Sequence, residues 1–158
     1  MLQSYGMHAG VVDLGGNVAI LGNKADSQPW RVGLRHPRVH GCLIGAIEVN
    51  QGAVVTSGDY ERYFIDASGR RWHHIIDPRS GFPADSGLIS VTVLHSSAMT
   101  ADALSTALFI AGIEAASGMI EAFPGAEVIM VDNRLNVFIT EGLKGTYLAN
   151  EGMEAIVI

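Results

Sequence analysis

An imidazole and a carboxylate stand three residues apart in the run His73-His74-Ile75-Ile76-Asp77-Pro78-Arg79-Ser80-Gly81-Phe82-Pro83. Histidine is the side chain whose proton moves most easily near neutral pH, which makes His74 a candidate general base. The run reads as a strand that ends in a turn. Trp72, His74 and Ile76 fall on one face of an extended chain and Arg71, His73 and Ile75 on the other. Pro78 then ends the ladder and holds Asp77 extended, while Ser80-Gly81 and Pro83 keep the backbone turning. A plainer reading stands beside the catalytic one: a half-buried strand histidine, with Asp77 closing an Asx-turn into Pro78.

A second constellation is Thr100-Ala101-Asp102-Ala103-Leu104-Ser105-Thr106. On a helix Asp102 and Thr106 are four residues apart and share a face. Carboxylate plus hydroxyl is oxygen ligation, which suits Mg²⁺, an ion that completes its octahedron with water and substrate phosphate oxygens. The structural alternative makes Thr100 an N-cap and Asp102 a favourable charge in the first turn. A third is Thr56-Ser57-Gly58-Asp59-Tyr60-Glu61-Arg62-Tyr63-Phe64. Ser57 and the backbone at Gly58 could meet a phosphate or a flavin edge, or the run is an ordinary strand-to-turn junction.

The elements that must position these groups follow from hydrophobic period and turn chemistry. Residues 1–7 resemble the last turn of a helix stopped by Gly6. Strands are expected over 9–14, 18–21, 30–34, 43–49, 53–56, 60–65, 70–76 and 88–94, with Asp66-Ala67-Ser68-Gly69 turning one strand into the next as a hairpin. The Gly15-Gly16 pair permits a sharp bend. The period then becomes helical over 101–111 and about 114–123, with stops at Gly112 and Pro124-Gly125. A hairpin over 128–131 and 137–140 and a last strand at 154–158 complete one α+β domain, residues 1–158, with a mostly antiparallel sheet and two packed helices.

Composition bounds the function. In 158 residues, 48% are hydrophobic and 16% charged, a globular balance. The net charge of -6, with ten basic residues spread along the chain, argues against nucleic acid. No apolar run approaches the length of a membrane span, and the first residues lack the pattern of a signal peptide. The single cysteine, Cys42, cannot form an internal disulfide; its apolar surroundings, Gly41 to Ile47, predict a buried thiol.

In combination the motifs resemble a family. Val12-Asp13-Leu14-Gly15-Gly16-Asn17, then the Thr56 to Phe64 run, the His74 to Pro83 run and Ala101-Asp102-Ala103-Leu104-Ser105-Thr106-Ala107-Leu108 look like the bacterial ApbE-type FAD:protein FMN transferases, in that order. The resemblance implies a T-fold-related domain and a magnesium-dependent enzyme that splits FAD at its diphosphate. FMN passes to a threonine hydroxyl of a target protein, usually a subunit of a membrane redox complex, and AMP leaves; some members let water take the FMN. A non-catalytic flavin-binding or assembly module is the alternative from another class. The resemblance assigns Asp102 and Thr106 to the metal and His74 to the base, and places Ser57, Gly58, His74, Ile75 and Asp77 around the cofactor. It also implies an N-terminal half, ending in a Lys-Gly-Tyr or Glu-Gly-Tyr motif, that is absent here. The chain is thus expected to be the C-terminal portion of the domain, completed by a missing half or a partner chain. Family members are often periplasmic or anchored on the outer face of the inner membrane; nothing in this chain specifies its compartment.

Overall fold

The computed structural model describes residues 3–158. Two layers stack on a central, mostly antiparallel sheet. Its seven strands run in the order β1 (Gly10–Asp13), β2 (Asn17–Leu21), β5 (Gly52–Gly58), β8 (Leu88–His95), β9 (Glu127–Asp132), β10 (Val137–Ile139), β12 (Ala155–Val157), and only the β10–β12 pair is parallel. Helices α1 (Ala98–Ala111) and α2 (Ile113–Glu121) cover one face. The other face carries a second sheet, β11 (Tyr147–Ala149), β4 (Leu43–Val49) and β3 (Trp30–Arg35). No helix among the described residues is long and apolar enough to cross a membrane.

Because the central sheet is covered on both sides, its middle strand β8 is buried at six successive residues rather than at every second one. Val91 and Val93 enter the helix-side core with Leu104, Leu108 and Phe109, whereas Ile89 enters the other core with Ile47, Ile129 and Leu143. Simple alternation would put Ile89, Val91 and Val93 together. An irregularity in the ladder between Leu88 and Ser90 moves Ile89 to the opposite face.

A third, two-stranded sheet stands apart: β6 (Tyr63–Ile65) and β7 (Arg71–His73), turned by Asp66, whose carboxylate accepts from Ser68, Arg70 and the Trp72 indole. Both strands are shorter than their sequence suggests. After His73 the chain leaves β6 and pairs with its own return, Ala84 N–H donating to the Ile75 carbonyl and Asp77 N–H to that of Phe82. Alternation outlasts the strand, however: Ile75 is buried, and His74 and Ile76 are exposed.

Other expectations need correction. The helix begins at Ala98, not Ala101. Its N-cap is Ser97, whose Oγ accepts the Thr100 N–H at 3.3 Å, so Thr100 is the third helical residue. Strand β5 runs two residues beyond Thr56, because β8 offers partners as far as Ser90. Cys42 is exposed, since β4 starts only at Leu43 and the cysteine lies in the preceding turn. The start of the chain holds a single 3-10 turn, Gln3–Tyr5, followed by Gly6 at φ +77°; Met1 and Leu2 lie outside the described residues. Strand β11, which follows a short 3-10 turn, was not foreseen.

Candidate active site

Strand β5 and helix α1 bring Ser57 and Thr106 together. Ser57 lies on the helix-facing side of β5, and its Oγ is 3.0 Å from Thr106 Oγ1 and 2.9 Å from Ser105 Oγ. Ser105 is fully buried and donates to the Asp102 carbonyl at 3.0 Å. That last bond orders the protons, because a carbonyl can only accept and each hydroxyl has one proton to give. Ser105 gives its proton to Asp102, Ser57 gives its own to Ser105, and Thr106 must therefore donate to Ser57. The Thr106 oxygen is left with lone pairs free to face a ligand.

One turn earlier on the same helix, Asp102 is exposed, and its Oδ1 meets only Asn17 Nδ2, at a long 3.5 Å. No lysine or arginine pairs with it among the described residues. With the cap at Ser97, Asp102 sits in the second turn, so the first-turn dipole does not account for it. The glycine pair delivers Asn17: Gly15 and Gly16 hold φ of +77° and +110°, and both N–H groups donate to Asp13 Oδ1. Among the described residues no three His, Cys, Asp or Glu side chains cluster as a metal cage. The donors here are instead one unpaired carboxylate and an oriented hydroxyl, an all-oxygen set that fits a hard cation such as Mg²⁺, which needs few protein ligands. Ser105 and Asn17 were not singled out from sequence. Their signal was position, next to Thr106 and directly after the glycine pair.

The two adjacent histidines divide their roles. His73 uses both ring nitrogens: Nε2–H donates to the Ala84 carbonyl at 3.0 Å, Nδ1 accepts the Ile75 N–H at 3.3 Å, and the ring stands edge-on to Phe109. His74 uses one. Its Nδ1 faces the Arg62 carbonyl at 3.3 Å and must carry a proton there, so that in the neutral ring Nε2 is the bare lone pair, exposed, as a general base requires. No hydrogen bond connects His74 to Asp102 or Thr106.

The remaining predicted positions have local partners. Asp77 Oδ1 accepts the Arg79 N–H and Nε–H, and Oδ2 accepts Nη2–H. The Arg79 guanidinium and N–H hold this carboxyl below its ordinary value, so Asp77 closes its own turn. Ile75 packs into the helix-side core. Gly58 allows Tyr60 to approach: a Cβ there would lie 2.5 Å from Tyr60 Cε1. Tyr60 in turn hydrogen-bonds Ser90, and burial pushes its phenol up.

Fold and site define an α+β protein with a cluster of oxygen donors at a strand–helix junction and an exposed imidazole on the segment that follows β7. The chain belongs to the ApbE family, whose profile matches residues 1–130. It is 37% identical over 140 residues to an FAD:protein FMN transferase of Klebsiella pneumoniae (strain 342), covering 88% of this chain and 42% of that one. It is 38% identical over 142 residues to the Treponema pallidum (strain Nichols) transferase, covering 83% and 38%. Among solved structures, the ApbE protein of Thermotoga maritima superposes with a TM-score of 0.76 at 41% identity, over 87% of this chain and 44% of that one. The flavin transferase ApbE of Vibrio cholerae gives 0.74 at 34% identity, over 92% and 46%. The chain thus spans less than half the length of these relatives.

Proposed function

We propose that this chain carries the FAD-cleaving part of a flavin transferase, which moves FMN from FAD to a threonine hydroxyl of a target protein and releases AMP. The observation that supports this reading most is the ordered hydroxyl chain that leaves Thr106 with free lone pairs beside the unpaired carboxylate of Asp102. A Mg²⁺ ion held by Asp102 and Thr106 would neutralise charge on the diphosphate. His74 takes the proton of the attacking hydroxyl at Nε2, with Nδ1–H steadied by the Arg62 carbonyl. The buried Ser105 fixes the direction of the hydroxyl chain, and Ser57 joins the strand to the helix. The acceptor is a subunit of a redox complex in this reading; with water as acceptor the same groups give FMN and AMP.

The test is AMP release from FAD by the 158-residue chain with Mg²⁺, with EDTA as control. Metal-dependent release that falls on the order of 10²-fold or more in His74→Ala, with FAD binding kept, supports the assignment. A threonine-containing peptide then separates transfer from hydrolysis. Asp102→Ala should weaken the Mg²⁺ response most, and an unchanged metal titration removes Asp102 from the ligand set. FAD binding without release or metal linkage would instead identify a binding module.

A further inference from the structure

A cleft of different character shares no residue with the hydroxyl cluster. A cavity of about 480 Å³ opens between the loop that joins β3 to β4 and the base of the β6–β7 hairpin. Arg35, Arg38 and Arg71 line it, three of the ten basic residues in an acidic protein, together with His36, Tyr63 and Cys42.

The charges there do not cancel. Arg35 is answered by Glu61 at 3.1 Å, and Arg38 by both carboxylate oxygens of the buried Asp59 at 2.7 Å. With those acids taken, Arg71 has none. It forms no ion pair among the described residues, its Nη1 is buried without a hydrogen-bond partner, and its guanidinium lies 3.7 Å from the centre of the Tyr63 ring. Asp85 shares a smaller cavity on the other side of Arg71, about 230 Å³, but forms no ion pair with it. A half-buried guanidinium with an unsatisfied N–H is costly until an acceptor answers it, and its planar fork matches a carboxylate or phosphate edge. His36 adds a donor. Its Nδ1 accepts the N–H groups of Arg38 and Val39, so Nε2 carries the proton.

We propose that this cleft is an oxyanion-binding site, in which Arg71 receives a carboxylate or phosphate group with His36 as a second donor. The assignment does not rest on flavin transfer. The anion can be a free phosphate or an acidic side chain of a bound polypeptide. Because Arg71 is three residues before His74, its occupant would brace the hairpin that carries the imidazole.

Cys42 is the only thiol in the chain and lines this cleft, so its reactivity reports on the site. The experiment compares labelling by anionic, cationic and neutral methanethiosulfonates, each normalised to a free thiol. The anionic reagent should be favoured over the cationic one by on the order of fivefold, as one uncompensated positive charge acting through solvent requires. Arg71→Gln should remove that preference, Arg71→Lys should keep most of it, and Arg134→Gln should leave it unchanged. Inorganic phosphate should slow the neutral reagent saturably, beyond chloride at equal ionic strength. An aspartate-containing peptide that protects at lower concentration than phosphate points to a polypeptide ligand, and protection by phosphate alone points to a free anion. Equal normalised rates for both charged reagents in the wild-type chain, with no protection by either anion, overturn the proposal without requiring any variant to fold.

Discussion

The two parts of the candidate active site are held in opposite ways. Ser57, Ser105, Thr106 and Asp102 ride on β5 and α1. The strand is paired on both sides, and the helix buries Ala101, Leu104, Ser105, Leu108 and Phe109. His74 hangs instead from two three-residue strands whose outer side chains, Tyr63, Phe64 and Ile65, are exposed. That ribbon is stiffened by its own contacts: Phe64 stacks on Trp72, Phe82 tilts against the same indole, and Arg70 lies over it. Ile75, Ala84 and the edge contact of His73 with Phe109 tie it to the helix-side core. The groups suited to hold charge are thus fixed by the global fold, whereas the imidazole proposed as the base sits on a unit that can open separately.

Phe109 joins the two regions, so removing it should have the largest effect. It is fully buried, and Phe109→Ala should cost about 3–5 kcal/mol in urea unfolding through lost burial and the cavity left behind. The hairpin should loosen along with the core. A loss below about 1 kcal/mol would mean that the helix-side core is not what fixes the donor cluster.

Trp72→Ala should separate the regions instead of breaking both. Loss of the Phe64 stack and of the indole bond to Asp66 should destabilise the hairpin by about 1–2 kcal/mol. Hydrogen exchange of the His74 amide, which donates to the Arg62 carbonyl, should speed up accordingly, while amides of α1 keep their protection. Equal acceleration in both places would show that they open as one unit.

The same division explains what could be read from the sequence. The α+β class, the two helices and the alternation of Ile75 with His74 and Ile76 follow from period, because a local pattern records which face is buried. The pairing of Ser57 with Thr106 does not. Residues 49 positions apart meet only through the register of β5 and the seating of α1, neither of which a local window contains. The helix start was placed three residues late because Thr100 looked like the cap, whereas it is the Ser97 hydroxyl that reaches a free N–H. The shift of Ile89 depends on the ladder irregularity in β8, and the burial of Cys42 was overestimated because β4 begins one residue after it. For Asp77 both readings were available in the sequence, and its bonds to Arg79 settle what holds it in this conformation.

The smallest expected effect is a pH dependence confined to the hairpin. Side-chain bonds from Ser68 and Trp72 and the backbone N–H of Arg70 hold the Asp66 carboxyl far below its ordinary value of 3.8. Asp77 is lowered as well, chiefly by Arg79. A carboxylate with a depressed pKa binds its proton later in the folded hairpin than in the opened one. Its contribution is therefore complete above the ordinary value, and is lost progressively as pH falls below 3.8 and through the folded-state pKa. Both groups are half-buried at the surface of the hairpin and within reach of solvent, so salt and water screen the effect. The indole N–H resonance of Trp72, which donates to Asp66 at 2.8 Å, should lose its hydrogen-bonded shift in that acid range. Asp66→Asn should abolish most of that dependence while leaving the amides of α1 unchanged at neutral pH. If the indole and the α1 amides respond to acid together, and still do so in Asp66→Asn, the hairpin is not the separately opening unit that its contacts describe.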